Sequence, residues 1–313
     1  MIESRKKRIL VTGGAGFIGS HLVDRLILDG HKVSIIDNLS SGSRKNLNSK
    51  ASFYKLDISN KKIAEVFDRE KPEVVFHLAA QANLQKSILD PVADSKTNIL
   101  GFINICKNCK EFGVKKIIFS SSAAVYGDGD QIPTKEGASL KPVSPYGVAK
   151  LTGEQLLALY REQFNIEYVA LRYSNVYGPR QGNNGEGGVV SIFFNRIKNN
   201  EKLIVYGSGN QTRDFIFVDD VVRANICAML SKQSGIFNIS SAKETSVRQL
   251  IEEIKLLTKR DVQIIYAPAR SGDQARSALD YSLAEKVLDW SPKYTLRNGL
   301  KESCDWFLGT KGI

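Results

Sequence analysis

From Arg8 onward the chain alternates between two hydrophobic periods. Short apolar, β-branched runs occur at 8–13 (RILVTG), 32–37 (KVSIID), 52–57 (SFYKLD), 73–80 (EVVFHLAA), 115–122 (KKIIFSSS) and 167–174 (EYVALRYS). Continuous runs of this length and composition read as strands buried on both faces. Between most of them lie amphipathic stretches, including GSHLVDRLILDG closed by Gly30, the segment 92–112 and the segment 145–163. Apolar positions three to four apart predict helices there. Strands alternating with helices imply right-handed βαβ units and a mostly parallel sheet. The predicted fold class is therefore α/β, a doubly wound Rossmann-like sheet over residues 1–174.

Past residue 174 the pattern changes. The segment GPRQGNNGEGG at 178–188 is loop-like and too long for a simple turn. Helical stretches at 190–199, 219–231, 246–258, 282–289 and 298–307 then mix with short strands. Residues 175–313 are expected to form a smaller, interleaved α/β region that faces a ligand. No clean linker separates it from the sheet, and GIFNISS is expected to rejoin that sheet.

Composition adds a few exclusions. At 313 residues there is ample chain for a large core, and 42% hydrophobic with 25% charged residues is ordinary for a globular protein. No apolar run approaches the roughly 20 residues that cross a bilayer. The basic N-terminal stretch leads straight into a glycine loop with no small-residue cleavage site, which reads as the first strand of a cytoplasmic protein. The net charge of +11 raises the question of nucleic acid. The lysines are scattered, however, with no basic stripe carrying interleaved aromatics, so a solvated surface with mild steering of anions is expected instead. Cys106 and Cys109 form a CxxC inside a helical pattern, while Cys227 and Cys304 stand alone. With only three histidines in the chain no zinc ligand set is apparent. Free thiols and no metal are expected, as suits a reducing compartment.

The first chemical signal follows the first strand. Gly13, Gly16 and Gly19 form a GxxGxxG in VTGGAGFIGSHL, which opens a helix. Glycine suits a tight turn, close backbone approach to a pyrophosphate, and helix–sheet packing. The helix N-terminus then offers amide donors to the phosphates. Glycines alone could be a structural turn, and the spacing departs from the ordinary GxGxxG. The second strand adds weight, because it ends in Asp37, 18 residues after Gly19. A carboxylate there accepts from adenosine ribose hydroxyls and repels a 2′-phosphate, so NAD is expected over NADP.

The second signal is SPYGVAK, which sets Tyr146 and Lys150 four residues apart on a helix-patterned stretch. At that spacing they share a face, and the lysine leans back towards the tyrosine. A free phenol titrates near pH ~10, and bringing it to neutrality takes roughly 4 kcal/mol of differential stabilisation. A nearby ammonium and an oxidised nicotinamide both favour the phenolate. A YxxxK alone is common on amphipathic helices; here it follows an NAD site at the expected depth in the fold. FSSSAAVYG ends the fifth strand, where a parallel sheet faces its ligand crevice. Its serines either cap the strand or hold a substrate oxygen. Asn98 is an oddity, a polar, poor helix former within a helical stretch, whose plainer reading is a surface position.

Taken in order, TGGAGFIG, IIDNLSSG, LDI, HLAA, FSSSAAVYG, SPYGVAK, RYSNVYGPR, TRDFIFVDD and RSGD resemble the extended short-chain dehydrogenase/reductases, and within them the UDP-glucose 4-epimerase branch. The resemblance spans nearly the whole chain. It implies Ser122 as the catalytic hydroxyl, Tyr146 as the base and Lys150 as its partner. It implies cofactor contacts from Gly13, Gly16, Phe17, Ile18 and Gly19, and from Asp37, Asn38, Leu39, Ser41 and Gly42. Asp57 and Ile58 would touch adenine. Leu78, Ala79, Ala80 and Gln81 would line the nicotinamide side, with Asn98, Tyr146, Lys150, Tyr173 and Ser174. For the UDP-sugar, Asn175, Arg213, Arg270 and Asp273 match the diphosphate and ribose contacts, and Val189 and Tyr206 lie beside uracil. Ser122 and Tyr146 would meet the sugar. Ser277 matches a position that narrows the sugar pocket; the plainer reading is a turn residue. Two arginines on a diphosphate make bidentate pairs, though an isolated arginine is as readily a surface salt bridge.

One departure bears on the reaction. Related dehydratases carry an acidic pair after the catalytic hydroxyl, and related decarboxylases a glutamate; here stand Ala123 and Ala124. Elimination needs a placed acid and base, which alanines cannot supply. The resemblance thus implies NAD-dependent C4 epimerisation of a UDP-hexose, in a homodimer paired through helices that include 145–163. A net oxidoreductase, a UDP-glucuronate 4-epimerase and a non-catalytic binding protein stay open at this point.

Overall fold

The computed structural model describes residues 6–129, 131–182, 188–260, 262–269 and 274–309. The strands are β1 (Arg8–Thr12), β2 (Lys32–Ile36), β3 (Ser52–Tyr54), β4 (Val74–His77), β5 (Lys116–Ser122), β6 (Glu167–Tyr173), β7 (Asn175–Tyr177), β8 (Leu203–Tyr206), β9 (Thr212–Phe217), β10 (Gly235–Ile239), β11 (Glu244–Ser246) and β12 (Ile264–Ala267). Seven of them form one sheet in the order β10-β6-β5-β4-β1-β2-β3. Every pairing in it is parallel. The α/β expectation holds, and the segment at Gly235–Ile239 joins the sheet beside β6.

Both faces of the sheet are covered, which is why its strands read as continuous apolar runs. Ile9, Val11, Val33 and Ile35 point into one core with Leu22, Leu26 and Trp290. Leu10, Ile36, Val75 and Ile117 point into the other with Phe67, Phe102 and Leu157. A third core holds Tyr177, Phe193, Phe194, Leu203, Leu250 and Phe307 beneath a three-stranded sheet (β11-β9-β7) and a two-stranded one (β12-β8). No helix among the described residues is long and apolar enough to cross a membrane.

Strand order reverses between β1 and β4. That reversal opens a crevice at the carboxyl ends of the two strands, the usual ligand position in such sheets. The helix Pro145–Phe164 reaches the crevice from the side of β5. Ser144 starts it by accepting from the Gly147 N–H at 3.1 Å, Pro145 supplies its first turn, and Asn165 ends it in a left-handed conformation.

The stretch 92–112 is not the single helix its periodicity predicts. It divides into Pro91–Ser95, a π-helical turn at Lys96–Leu100 and a helix at Gly101–Glu111. Two packing demands accompany the break. Asn98 is buried against the backbone of Gln81, and a Cβ on Gly101 would come within 2.7 Å of Ile58. An inserted π-turn rotates one part of a helix relative to the next, and it recurs at functional sites.

Candidate active site

The glycine loop lies where the crevice opens. Gly13 has φ +73, and a Cβ on it would stand 2.7 Å from the Ala79 nitrogen. A Cβ on Gly19 would stand 2.1 Å from the Gly13 carbonyl oxygen. The loop is therefore bare backbone packed on backbone, and any side chain would fill it. The helix Phe17–Leu28 that follows has no side-chain cap at Gly16. Amides of its first turn thus face the crevice end of the sheet, as a pyrophosphate requires. Phe17 sits edge-on to His21, and Ile18 packs between the first and third cores.

Asp37 ends β2, buried, and accepts from the Ala15 N–H at 3.0 Å and the Leu39 N–H at 2.8 Å. Each oxygen keeps capacity for a further donor. Leu39 has φ +63, a strained backbone for a side chain of its size. Behind it Gly42 presses on Ala15, where a Cβ would meet backbone at 3.0 Å. Asn38 and Ser41 are exposed at the rim, and the Asn38 amide donates to Asp57 at 2.7 Å. Burial pushes the Asp57 carboxyl up, but hydrogen bonds from Ser59 and Asn38 and the charge of Lys96 hold it below its usual range. Ile58 is buried under this wall. A backbone groove with an anchored carboxylate at one end fits a dinucleotide, so these residues would hold NAD.

On the opposite wall, half-buried Leu78, Ala79, Ala80 and Gln81 follow β4. Asn98 fixes this loop: its Oδ1 accepts from the Gln81 N–H and its amide donates to the Gln81 carbonyl, both at 2.9 Å. Asn98 is thus a buried bracket for the crevice wall and not a surface residue.

Tyr146 and Lys150 lie buried on one face of their helix. The Lys150 Nζ is 5.6 Å from the centre of the Tyr146 ring and donates to the Ser120 carbonyl at 2.6 Å. Burial pushes the Lys150 ammonium down to about 8, against the opposing pull of Asp94 and Glu154. The three serines ending β5 divide their tasks. Ser120 takes Lys150 on its carbonyl, and Ser121 donates to Glu154 at 2.6 Å. Ser122 accepts from the Ala124 N–H at 3.2 Å, a bond that leaves its hydroxyl proton to donate. Gly147 seats the tyrosine helix on this turn; a Cβ there would lie 2.6 Å from the Ala124 oxygen. Ser122, Tyr146 and Lys150 therefore belong to one packed unit. From β6, Tyr173 adds a buried hydroxyl that accepts from Asn225 at 2.8 Å, while Ser174 donates to Asp214 at 3.3 Å.

Sequence reasoning missed the network behind this unit. Glu154, one turn beyond Lys150, is clasped by Arg172 through Nε at 2.8 Å and Nη2 at 2.6 Å. Arg172 also donates to the Tyr126 hydroxyl at 2.8 Å, which donates to Asn238 at 2.7 Å. Asp214, fully enclosed, accepts from Ser241, Ala242 and Leu279 and ties β9 to the later chain. The available signal was charge inside apolar runs, at Arg172 in EYVALRYS and Asp214 in TRDFIF.

On the remaining side, Asn175 is exposed on β7, Val189 starts the helix Val189–Lys198, and Tyr206 ends β8. Arg213 on β9 donates to the carbonyls of Thr212 and Gln274 at 2.8 and 2.7 Å. The Gln274 amide in turn reaches the Gly127 carbonyl, just beyond the Ser122 turn. Ser277 is half-buried in a stretch pinned on both sides, by Thr212 donating to the Ala275 carbonyl at 3.0 Å and Thr134 to that of Ala278 at 2.8 Å. Arg270 and Asp273 lie outside the described residues.

Known proteins are similar to this chain along nearly its whole length. The chain is similar to the UDP-glucose 4-epimerase of Thermotoga maritima solved with UDP-glucose, at 45% identity and a TM-score of 0.94, covering 96% of this chain and 99% of that one. It is similar to the UDP-N-acetylglucosamine 4-epimerase of Methanobrevibacter ruminantium in complex with UDP-N-acetylmuramic acid, at 37% identity and a TM-score of 0.93, covering 98% and 99% of the two chains. The UDP-glucose 4-epimerase of Mycolicibacterium smegmatis is 40% identical over 307 residues, 96% of this chain and 98% of that protein. The family model described as the NAD dependent epimerase/dehydratase family matches residues 9–240, a span that runs from the glycine loop through the tyrosine helix to β10. With that match and a dinucleotide cradle opening onto Tyr146 and Lys150, the chain belongs to the NAD dependent epimerase/dehydratase family.

Proposed function

We propose that this protein interconverts UDP-hexoses at C4 through a transient 4-keto sugar. The observation that carries this reading is the packed unit of Ser122, Tyr146 and Lys150, followed by Ala123 and Ala124 where elimination would need an acid and a base. Tyr146 takes the proton of the sugar 4-hydroxyl, Ser122 donates to the same oxygen, and Lys150 favours the phenolate electrostatically. Bound NAD supplies the hydride acceptor and, on return, the donor. Residues 1–174 would hold the cofactor, and 175–313 mainly the nucleotide sugar. Asn175, Arg213, Arg270 and Asp273 would grip diphosphate and ribose, with Val189 and Tyr206 beside uracil. A firm hold on UDP leaves the sugar end free to turn before hydride returns to its other face, so remote binding energy serves the reaction.

Exposed Leu89, Val92, Leu100, Ile103, Val148 and Leu159 stand on the helices of 84–111 and 145–164. Such a patch supports a homodimer paired through these helices, which light scattering in solution would test. All four cysteines are free thiols, in keeping with a cytoplasmic location. The deciding experiment incubates the enzyme separately with UDP-glucose, UDP-N-acetylglucosamine and UDP-glucuronate and resolves products by NMR. The 4-epimer should form without accumulation of NADH. Stoichiometric NADH would instead identify a net oxidoreductase.

A further inference from the structure

The buried acid Asp94 has no place yet in this chemistry. It lies on the short helix Pro91–Ser95, which packs against the helix of Tyr146 and Lys150, and it is 1% exposed. Its Oδ1 accepts from the Gln81 and Asn98 side-chain amides, each at 2.9 Å. Gln81 is itself anchored, its Oε1 accepting from the Asn83 N–H at 2.7 Å. The carboxylate is thus held in one orientation, while its Oδ2 is buried with no hydrogen-bond partner among the described residues.

Two carboxylates act on Lys150, Asp94 and Glu154. Glu154 is already neutralised, since Arg172 clasps both of its oxygens. Burial pushes the Asp94 carboxyl up, and the hydrogen bonds from Gln81 and Asn98 together with the charge of Lys150 oppose that push and favour the carboxylate. The other groups facing Lys150 carry no charge to spare. His77 on β4 is kept neutral by burial and by Lys150 itself, and burial holds the Tyr173 hydroxyl protonated. A buried acid and a buried ammonium on packed helices compensate each other's desolvation.

We propose that Asp94 is a positioning residue: it serves as the counter-charge that keeps Lys150 an ammonium beside Tyr146. This rests on the base and lysine assignments of the proposed function. Asp94 touches no reacting atom and acts through Lys150, and no atom or electron is transferred to it.

The test uses the NAD-loaded enzyme. Asp94→Asn keeps an oxygen for the Gln81 and Asn98 amides but removes the charge. Its alkaline limb in turnover of UDP-glucose should move to lower pH by about one unit, so that the rate above that limb falls by up to about tenfold relative to wild type. A superimposable pH profile would overturn the inference. Thermal unfolding gives a second readout, free of activity. Lys150→Met strands the Asp94 charge, so adding Asp94→Asn to it should raise the melting temperature. A drop equal to that of Asp94→Asn in the wild-type background would overturn the pairing. Wild-type turnover in Lys150→Met would instead defeat the lysine assignment, a distinct outcome.

Discussion

Arg172 holds Glu154 by both carboxylate oxygens, at 2.8 and 2.6 Å, with each side chain 2% exposed. The pair joins β6 to the helix carrying Tyr146 and Lys150, directly behind the site. Removing one partner strands the other charge in the interior. Arg172→Met should therefore cost about 3–5 kcal/mol of stability, read from urea unfolding. A loss below about 1 kcal/mol would show that Glu154 finds water or a proton instead.

Tyr146→Phe removes the hydroxyl and leaves the ring that packs beside Lys150. The variant should keep its circular dichroism and its bound NAD, and lose at least about two orders of magnitude in turnover. Activity near wild type would remove Tyr146 from the role of base.

Cofactor choice should follow Asp37. The carboxylate is oriented by two backbone amides, while Arg44 lies over the Phe53 ring at 5.9 Å from its centre. NADP should bind the apoenzyme at least about tenfold more weakly than NAD, because its 2′-phosphate would face that carboxylate. Calorimetric titration compares the two directly, and equal affinities would contradict the placement.

Substrate breadth should turn on Ser277. A small residue there leaves room for an N-acetyl group at C2, whose amide still needs hydrogen-bond partners. The enzyme should epimerise UDP-N-acetylglucosamine as well as UDP-glucose, and Ser277→Tyr should remove the first activity while leaving the second within about threefold. That selectivity corresponds to an ordinary steric discrimination of roughly 1–3 kcal/mol. Side-by-side assays decide it; equal loss of both activities would make Ser277 a structural turn residue.

Local pattern was enough for much of this protein. β-branched runs and their helical spacers determine a parallel sheet, because strands covered on both faces must be apolar throughout. The glycines, the strand-ending Asp37, and Tyr146 four residues before Lys150 are short-range signals, each imposed by one turn or one helix face. Interactions distant in sequence were decided only by the tertiary structure. The break at Asn98 comes with its two hydrogen bonds to the backbone of Gln81, 17 residues away at the crevice wall. The Arg172–Glu154 clasp joins a strand to a helix across 18 residues, and neither residue looks paired in its own segment. Asp94, in the first turn of a short helix, carries no local sign that packing will bury it, and β10, expected to rejoin the sheet, gets its particular neighbour β6 only from the fold. Periodicity reports which face of an element is covered. What covers it, and which buried charges meet there, is set by packing between elements far apart in the chain.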